Sequence, residues 1–185
     1  ALAQENSNIP GTGVRPLIPD FSKKSIGAFV IEHLPVGERL ELEAGARVEG
    51  TVLNIRRFDR DGQYQTPEHR FTNAAFACGA NYVASDSARF RFGLASAYRP
   101  PHVSELYSEG LHHSAAAIEE GDAALGSERS VKATLDAEAA LFKGRLRIDA
   151  TLHASRIDGF IYLRPDGTRL TARGAFPVFR YTATD

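Results

Sequence analysis

The feature that most constrains the fold of this 185-residue chain is a strict two-residue alternation of apolar and polar side chains. In LELEAGARVE, residues 40–49, leucine, alanine and valine occupy the even positions, and glutamate or arginine occupies most of the odd ones. The same period recurs over residues 131–142 and 146–155. Because successive side chains of a strand point to opposite faces, this period predicts strands with one apolar and one polar face.

The predicted strands are joined by connections of two very different lengths. About seven strands are predicted, over residues 25–34, 40–49, 71–84, 89–98, 131–142, 146–155 and 176–184. Short turns near residues 36, 86 and 144 alternate with long loops over about 50–69, 99–129 and 158–175. Short periplasmic turns and long extracellular loops are typical of membrane barrels, whereas a soluble sandwich spreads its connection lengths more evenly. The pattern favours an all-β, antiparallel, up-and-down transmembrane β-barrel, and it leaves a soluble antiparallel β-sandwich binding module as the alternative.

Composition and short motifs argue against several other classes of protein. The 22 basic and 23 acidic residues give a net charge of −1 and no basic face, so nucleic acid is not an expected partner. The single cysteine, Cys78, has no partner for an internal disulfide and no zinc-binding spacing around it. No metalloprotease, nucleophile-elbow or phosphate-loop motif is present, so the sequence does not predict an enzyme. The N-terminal residues ALAQENSNIPGTG lack the pattern of an export signal, which predicts either a protein that is not exported or a chain that begins partway through a longer one.

A run of ordered motifs between residues 96 and 139 resembles a signature of TonB-dependent outer-membrane receptors. The motifs are Tyr98-Arg99-Pro100, Glu105-Leu106-Tyr107, Gly110-Leu111-His112, Glu119-Glu120-Gly121-Asp122 and Leu125-Gly126-Ser127-Glu128-Arg129-Ser130. The stretches SRIDGFIYLRPDGT and PVFRYTATD resemble the next hairpin of the same family, so the resemblance covers about residues 20–185. The zinc-uptake and siderophore-receptor branches are the most similar.

The resemblance implies that residues 1–185 are a fragment of a receptor barrel, because about seven strands are too few to close one. The family's plug domain and remaining strands would lie outside this chain. The implied location is the bacterial outer membrane, and the implied partners are outer-membrane lipid, a TonB-type energy-coupling protein acting through the plug, and a scarce metal ion or metal chelate as transported ligand. No resident cofactor and no catalytic residue is implied.

The longest predicted loop, residues 99–129, contains the candidate metal ligands. They are His112, His113, Glu119, Asp122 and His102. Imidazole nitrogen and carboxylate oxygen are ligands that zinc and other borderline divalent metals accept, and an irregular loop can turn both adjacent histidines toward one site. In the alternative interpretation these residues serve the loop itself, with Gly121 and Asp122 forming a turn and His112 holding the loop in place.

Four aromatic residues are predicted near strand ends, namely Tyr98, Tyr107, Phe160 and Tyr162. Aromatic girdles of membrane barrels occupy that position, at the level of the lipid headgroups. The sequence therefore favours a girdle over a stacked substrate for all four.

Overall fold

The computed structural model of the chain describes residues 1–8, 16–59 and 61–184. Those residues form twelve strands and one short helix, so the all-β prediction is confirmed. In chain order the elements are β1 (Leu2–Asn6), β2 (Asp20–Val36), β3 (Leu40–Phe58), β4 (Tyr64–Gln65), β5 (Glu68–Ser85), β6 (Ala88–Arg99), α1 (Val103–Tyr107), β7 (Glu109–His112), β8 (Ala117–Glu120), β9 (Glu128–Leu141), β10 (Leu146–Asp158), β11 (Ile161–Thr171) and β12 (Gly174–Ala183). No helix in the described part of the chain is long and apolar enough to cross a membrane.

Most strands belong to one antiparallel main sheet in the order β1-β2-β3-β5-β6-β9-β10, and the short β4 pairs with the end of β3. Over the described residues β1 and β10 are the two edges of this sheet, which makes it an open section of a barrel, as predicted. Its tight turns, at 37–39, 86–87 and 142–145, all lie at one end. The opposite end, where β6 ends at Arg99 and β10 ends at Asp158, is called the loop end below.

The two faces of the main sheet differ sharply in chemistry. On the apolar face one row crosses five strands as Leu42, Ala80, Phe92, Leu135 and Leu152. The next row along, on the polar face, reads Glu41, Asn81, Arg91, Asp136 and Thr151. Phe92 is 49% exposed and Leu152 is 70% exposed, so large apolar side chains cover an open surface. A face of that size requires an apolar environment such as membrane hydrocarbon.

The predicted loop over 50–69 was wrong for residues 50–58, which continue β3. They keep pairing with β2 and β5, for example through Asn54 opposite Ser22 and Glu68. The apolar residues Leu53 and Ile55 here lie on the face that is polar elsewhere in β3, and both are buried. The two-residue alternation therefore continues, but the apolar residues have moved to the opposite face of the strand. Because of this change the sequence of residues 50–58 looks like a loop.

The predicted loop over 158–175 was also wrong for residues 161–171, which form β11 and pair with β12 as a hairpin. Arg164-Pro165-Asp166-Gly167 looks like a turn because proline cannot donate to a ladder. The structure accommodates these residues with a register shift between Pro165 and Thr168, and Gly167 adopts a φ of 81°. The five strands that the sequence did not predict are β1, β4, β7, β8 and β11.

A second sheet assembles at the loop end in the order β11-β12-β8-β7, with β12 parallel to β8. It joins two parts of the chain that are distant in sequence, the loop segment (residues 100–127) and the last hairpin (residues 161–183). The most buried side chains, Ile55, Leu106 and Val103, lie in a cluster with Phe21 and Ile161. The core thus forms where the loop segment packs over the polar-face side of β2 and β3.

Candidate ligand-facing site at the loop end

Helix α1 is positioned by its own N-terminal residues. His102 is the N-cap: its Nδ1 accepts from the Ser104 backbone N–H at 3.3 Å, and the Glu105 carboxylate accepts from the His102 backbone N–H at 2.6 Å. This reciprocal capping box satisfies backbone donors that a helix start leaves open. Two prolines, Pro100 and Pro101, precede it and prevent β6 from continuing.

An arginine at the end of β6 links four elements. Arg99 donates to Glu105 of α1 at 2.8 and 3.0 Å and to Glu128 of β9 at 2.7 Å. Glu128 also accepts from the backbone N–H of Ile161, the first residue of β11, at 2.6 Å. Arg99, Glu105 and Glu128 of the motif run therefore hold the loop end together.

A second ion-pair cluster joins the loop segment to the last hairpin. Glu120 of β8 is buried and accepts from Arg169 at 2.7 Å and from Arg180 at 3.0 Å. Arg180 also pairs with Asp166 at 3.0 Å. Because the two arginines come from β11 and β12, this cluster and the β8–β12 strand pairing hold the two parts together.

Two of the five predicted metal ligands come together. His112 Nδ1 lies 2.6 Å from Glu119 Oε1, across the antiparallel pair of β7 and β8. The His112 side chain is 42% exposed, whereas that of Glu119 is 10% exposed. With Nδ1 held by a carboxylate, Nε2 of the neutral ring is the nitrogen left for a ligand, an arrangement that orients metal-binding histidines in many proteins.

The structure places the other three predicted ligands elsewhere. His113 follows β7 in an exposed turn, and the His102 ring is engaged with Ser104 as the cap of α1. Asp122 accepts from the backbone N–H of Ala124 at 2.8 Å, which stabilises the turn that follows β8. Within residues 1–8, 16–59 and 61–184, no three histidine, cysteine, aspartate or glutamate side chains are arranged to hold a metal ion.

Sequence reasoning missed a cluster around Tyr107. His69 Nε2 lies 2.7 Å from the Tyr107 hydroxyl. The Arg57 guanidinium lies 5.3 Å from the centre of the Tyr107 ring. Arg57 also forms an ion pair with Glu109. Burial raises the pKa of Tyr107, so its hydroxyl stays protonated at neutral pH. The prediction that Tyr107 belongs to an aromatic girdle was wrong, because the ring is buried in the core.

A polar cavity of about 550 Å³ opens beside this cluster. Its wall includes Arg57, Asp59, Asp61, Tyr107, Ser108, Glu120, Asp122 and Arg180. The cavity lies between the end of β3 and the loop segment, on the side of the core that faces away from the tight turns. Hydrogen-bond donors and acceptors therefore concentrate at the loop end of the main sheet.

Lowering the pH is expected to loosen the start of α1. Partial burial, in part against Phe21, lowers the pKa of His102 from its ordinary value of 6.5. The positive charges of Lys23 and Arg99 lower this pKa further, and the negative charge of Glu105 raises it. A group with a lowered folded-state pKa contributes its full stabilisation above the unfolded value, and the contribution disappears as the pH falls through the folded-state pKa. Protonated Nδ1 cannot accept from Ser104, so the cap, which contributes about 1 kcal/mol, is lost.

Hydrogen exchange of residues 103–107, corrected for intrinsic rates and followed from pH 7.5 downward in the intact receptor, measures this effect. The matched control is His102→Asn, which keeps a capping oxygen and does not titrate. An identical pH response in the asparagine variant would show that His102 is not the group responsible.

The family model for the barrel of TonB-dependent receptors, described as "TonB dependent receptor-like, beta-barrel", matches residues 3–185. The chain belongs to the TonB-dependent receptors. Members of this family are outer-membrane proteins of Gram-negative bacteria, and they are transport receptors, not enzymes. The family assignment and the two-faced open sheet together settle the prediction of a membrane barrel against the soluble sandwich.

Solved TonB-dependent receptors share the fold of this chain at low identity. The hemophore receptor HasR of Serratia marcescens, in complex with its hemophore HasA and heme, aligns with a TM-score of 0.76 and 14% identity over 98% of this chain and 32% of HasR. The copper transporter OprC aligns with a TM-score of 0.66 and 17% identity over 90% of this chain and 25% of OprC. The ferric-catecholate import receptor Fiu of E. coli K12 aligns with a TM-score of 0.56 and 13% identity over 89% of this chain and 24% of Fiu.

This TonB-dependent receptor chain therefore spans 24–32% of the length of these three structures. No curated protein matches its sequence. At these identities the structural likeness shows the fold alone.

Proposed function

We propose that this chain is part of a receptor that imports a metal complex across the outer membrane, with energy supplied by a TonB-type coupling protein through a plug domain. Iron-siderophore complexes are the preferred class of substrate. The observation that carries the proposal is the His112–Glu119 pair, a partly exposed imidazole whose Nδ1 is fixed by a buried carboxylate. In this proposal the chain has no catalytic role.

The ligand count favours a chelate over a bare ion. A protein zinc site normally takes three or four protein ligands, whereas among the five predicted ligands only one histidine and one glutamate come together. In a chelate, most coordination positions are already filled by the chelator. A single protein nitrogen can then contribute to recognition without completing a coordination sphere. Two of the relatives' names, a hemophore receptor bound to heme and a ferric-catecholate import receptor, fit this class, whereas the name of the copper transporter gives only the metal.

Bare zinc is the second candidate, and the same pair supports it. His112 Nε2 could provide one zinc ligand, and His113 and Asp122 could join it only if the loop segment rearranged around the ion. His102 would have to leave the cap of α1 to take part. Zinc uptake therefore predicts a conformational change of residues 102–122, whereas chelate uptake does not.

The test is ligand binding by the full-length receptor in detergent. We expect His112→Ala to weaken binding of the preferred ferric chelate at least tenfold, equivalent to about 1.4 kcal/mol. The matched control is His113→Ala, which removes the neighbouring exposed imidazole and should change affinity by less than twofold. A panel of ferric siderophores, heme and zinc chloride, titrated by calorimetry, identifies the ligand.

Uptake of the labelled ligand by cells provides the second arm. Transport that depends on both the receptor and the TonB-type protein supports the proposal. Tight zinc binding without chelate binding would replace the chelate by the bare ion. If no ligand of the panel binds, or if His112→Ala and His113→Ala behave alike, the His112–Glu119 pair is only part of the loop structure.

A further inference from the structure

The polar cavity between the end of β3 and the loop segment has more negative charge in its described wall than the arginines there balance. The charged wall residues are two arginines and five carboxylates, Arg57, Arg180, Asp59, Asp61, Glu109, Glu120 and Asp122. Arg57 pairs with Glu109, and Arg180 pairs with Glu120. Asp59 is engaged in the turn after β3, where it accepts from the backbone N–H groups of Asp61 and Gln63. Asp61 and Asp122 are therefore the carboxylates whose charge no wall arginine balances.

Three polar groups of this wall have unused hydrogen-bonding capacity. Among the residues that the structure describes, no cation lies within ion-pair distance of Asp61 or Asp122. Ser108 lines the same cavity and is 3% exposed, and its hydroxyl has no hydrogen-bond partner in the described part of the chain. A buried hydroxyl without a partner loses free energy that a bound donor or acceptor restores. The wall thus suits a group that is positively charged and donates several hydrogen bonds.

We propose that this cavity binds a protonated primary amine carried by the transported chelate, an inference that rests on the proposed function. An ammonium group has three donors and no acceptor, which matches two carboxylates and a hydroxyl. Its hydrogen bonds to carboxylates are charge-assisted and therefore stronger than neutral ones. The cavity volume of about 550 Å³ is within the range of about 300–1,000 Å³ for small-molecule sites. The loop end is the extracellular side by the asymmetry of short turns and long loops.

Strand geometry determines where the amine lies relative to the metal. Glu119 and Glu120 are consecutive in β8 and point to opposite faces, so the His112–Glu119 pair and the cavity lie on opposite sides of the β7–β8 hairpin. β7 is an edge strand of the second sheet, so a ligand can pass round it. Glu109, in the cavity wall, precedes His112 by three residues of β7, or about 10 Å at about 3.4 Å per residue. The ligand therefore carries its amine on a flexible arm, about that far from the metal.

The experiment compares two ferric chelates that differ only at the amine, by calorimetry on the full-length receptor in detergent at pH 7. The probes are ferrioxamine B, a linear ferric trihydroxamate with a terminal amine, and its N-acetylated form. We expect the amine form to bind at least tenfold more tightly. Asp61→Asn and Asp122→Asn should each reduce this ratio below threefold and leave the affinity of the acetylated form unchanged. Asparagine at 122 keeps an oxygen that accepts from the Ala124 backbone N–H, so the turn after β8 is retained.

Two further variants separate this inference from the proposed function. Asp158→Asn removes a loop-end carboxylate that is paired with Arg156 outside the cavity, and it should keep the wild-type ratio. His112→Ala should weaken both forms equally, because it removes the metal-facing nitrogen and leaves the cavity intact.

Equal binding of the two forms by the wild type, or a ratio that neither aspartate variant changes, would overturn the amine site while chelate binding through His112 still stands. Calcium binding that is lost in the same aspartate variants would also overturn it, since the cavity would then be a metal site. If no ferric chelate binds, the proposed function fails together with this inference.

Discussion

Replacing Gly121 with alanine is expected to separate the end of β8 from α1. A Cβ at this position would lie 2.5 Å from both the Leu106 carbonyl carbon and the Tyr107 backbone nitrogen. The obstacle is backbone, which cannot rotate aside as a flexible side chain could. Two hydrogen bonds depend on the same close approach, Gly121 N to Ser108 O at 2.7 Å and Asp122 N to Glu105 O at 2.9 Å. We expect a loss of about 3 kcal/mol of local stability, at the upper end for overpacking substitutions.

Hydrogen exchange over residues 103–122 of the intact receptor measures this loss, with an expected increase in exchange of roughly a hundredfold at that free energy. Gly126→Ala is the control, because a Cβ there meets nothing within 4 Å and the backbone needs no glycine. If Gly121→Ala exchanges like Gly126→Ala, the close packing of β8 on α1 does not stabilise the loop segment.

Truncation of Leu106 to alanine should have an effect of similar size through a different cause. Leu106 is 1% exposed and belongs to the cluster that also contains Ile55, Val103 and Ile161. The cavity left by a buried leucine costs about 2–5 kcal/mol. Because this cluster connects β3, α1 and β11, the loop segment and the last hairpin should loosen together, while the main sheet, whose strands pair independently of Leu106, should remain intact.

Limited proteolysis tests this prediction, because cleavage within residues 100–127 should accelerate in Leu106→Ala while the barrel band on a gel remains. Leu170→Ala is the matched control: it deletes the same atoms from a residue that is 83% exposed. Equal cleavage rates in the two variants would mean that the cluster does not anchor the loop segment. Loss of the barrel itself would mean that the main sheet depends on it.

The strands of the main sheet could be predicted from sequence because hydrocarbon on one face and water on the other impose a clear period of two. Residues 40–49 of β3 and residues 131–139 of β9 follow that rule. The rule fails where the surroundings change. Residues 50–58 keep the period, but protein covers the side that is elsewhere polar, so the apolar residues change face.

The candidate site could be predicted only in part. His112 and Glu119 were both identified from residue type, and they do meet, because β7 and β8 form a hairpin that places them on neighbouring strands. The contact of His69 with Tyr107 spans 38 positions and has no local signal. Gly121 suggested a turn, whereas the structure requires it for the close approach to α1, a reason that depends on tertiary packing.

The parallel pairing of β8 with β12 also has a consequence for the order of folding. Adjacent strands of the main sheet, such as β2 with β3, close over short turns and can form as soon as both have been synthesised. Arg180 of β12 lies opposite Glu120 of β8, 60 positions earlier. Contacts of such long sequence separation form slowly because the intervening chain must first be ordered. The loop segment is therefore expected to complete its structure last, after β9, β10 and the final hairpin, which makes it the part of this chain that remains exposed longest to periplasmic proteases and chaperones during assembly.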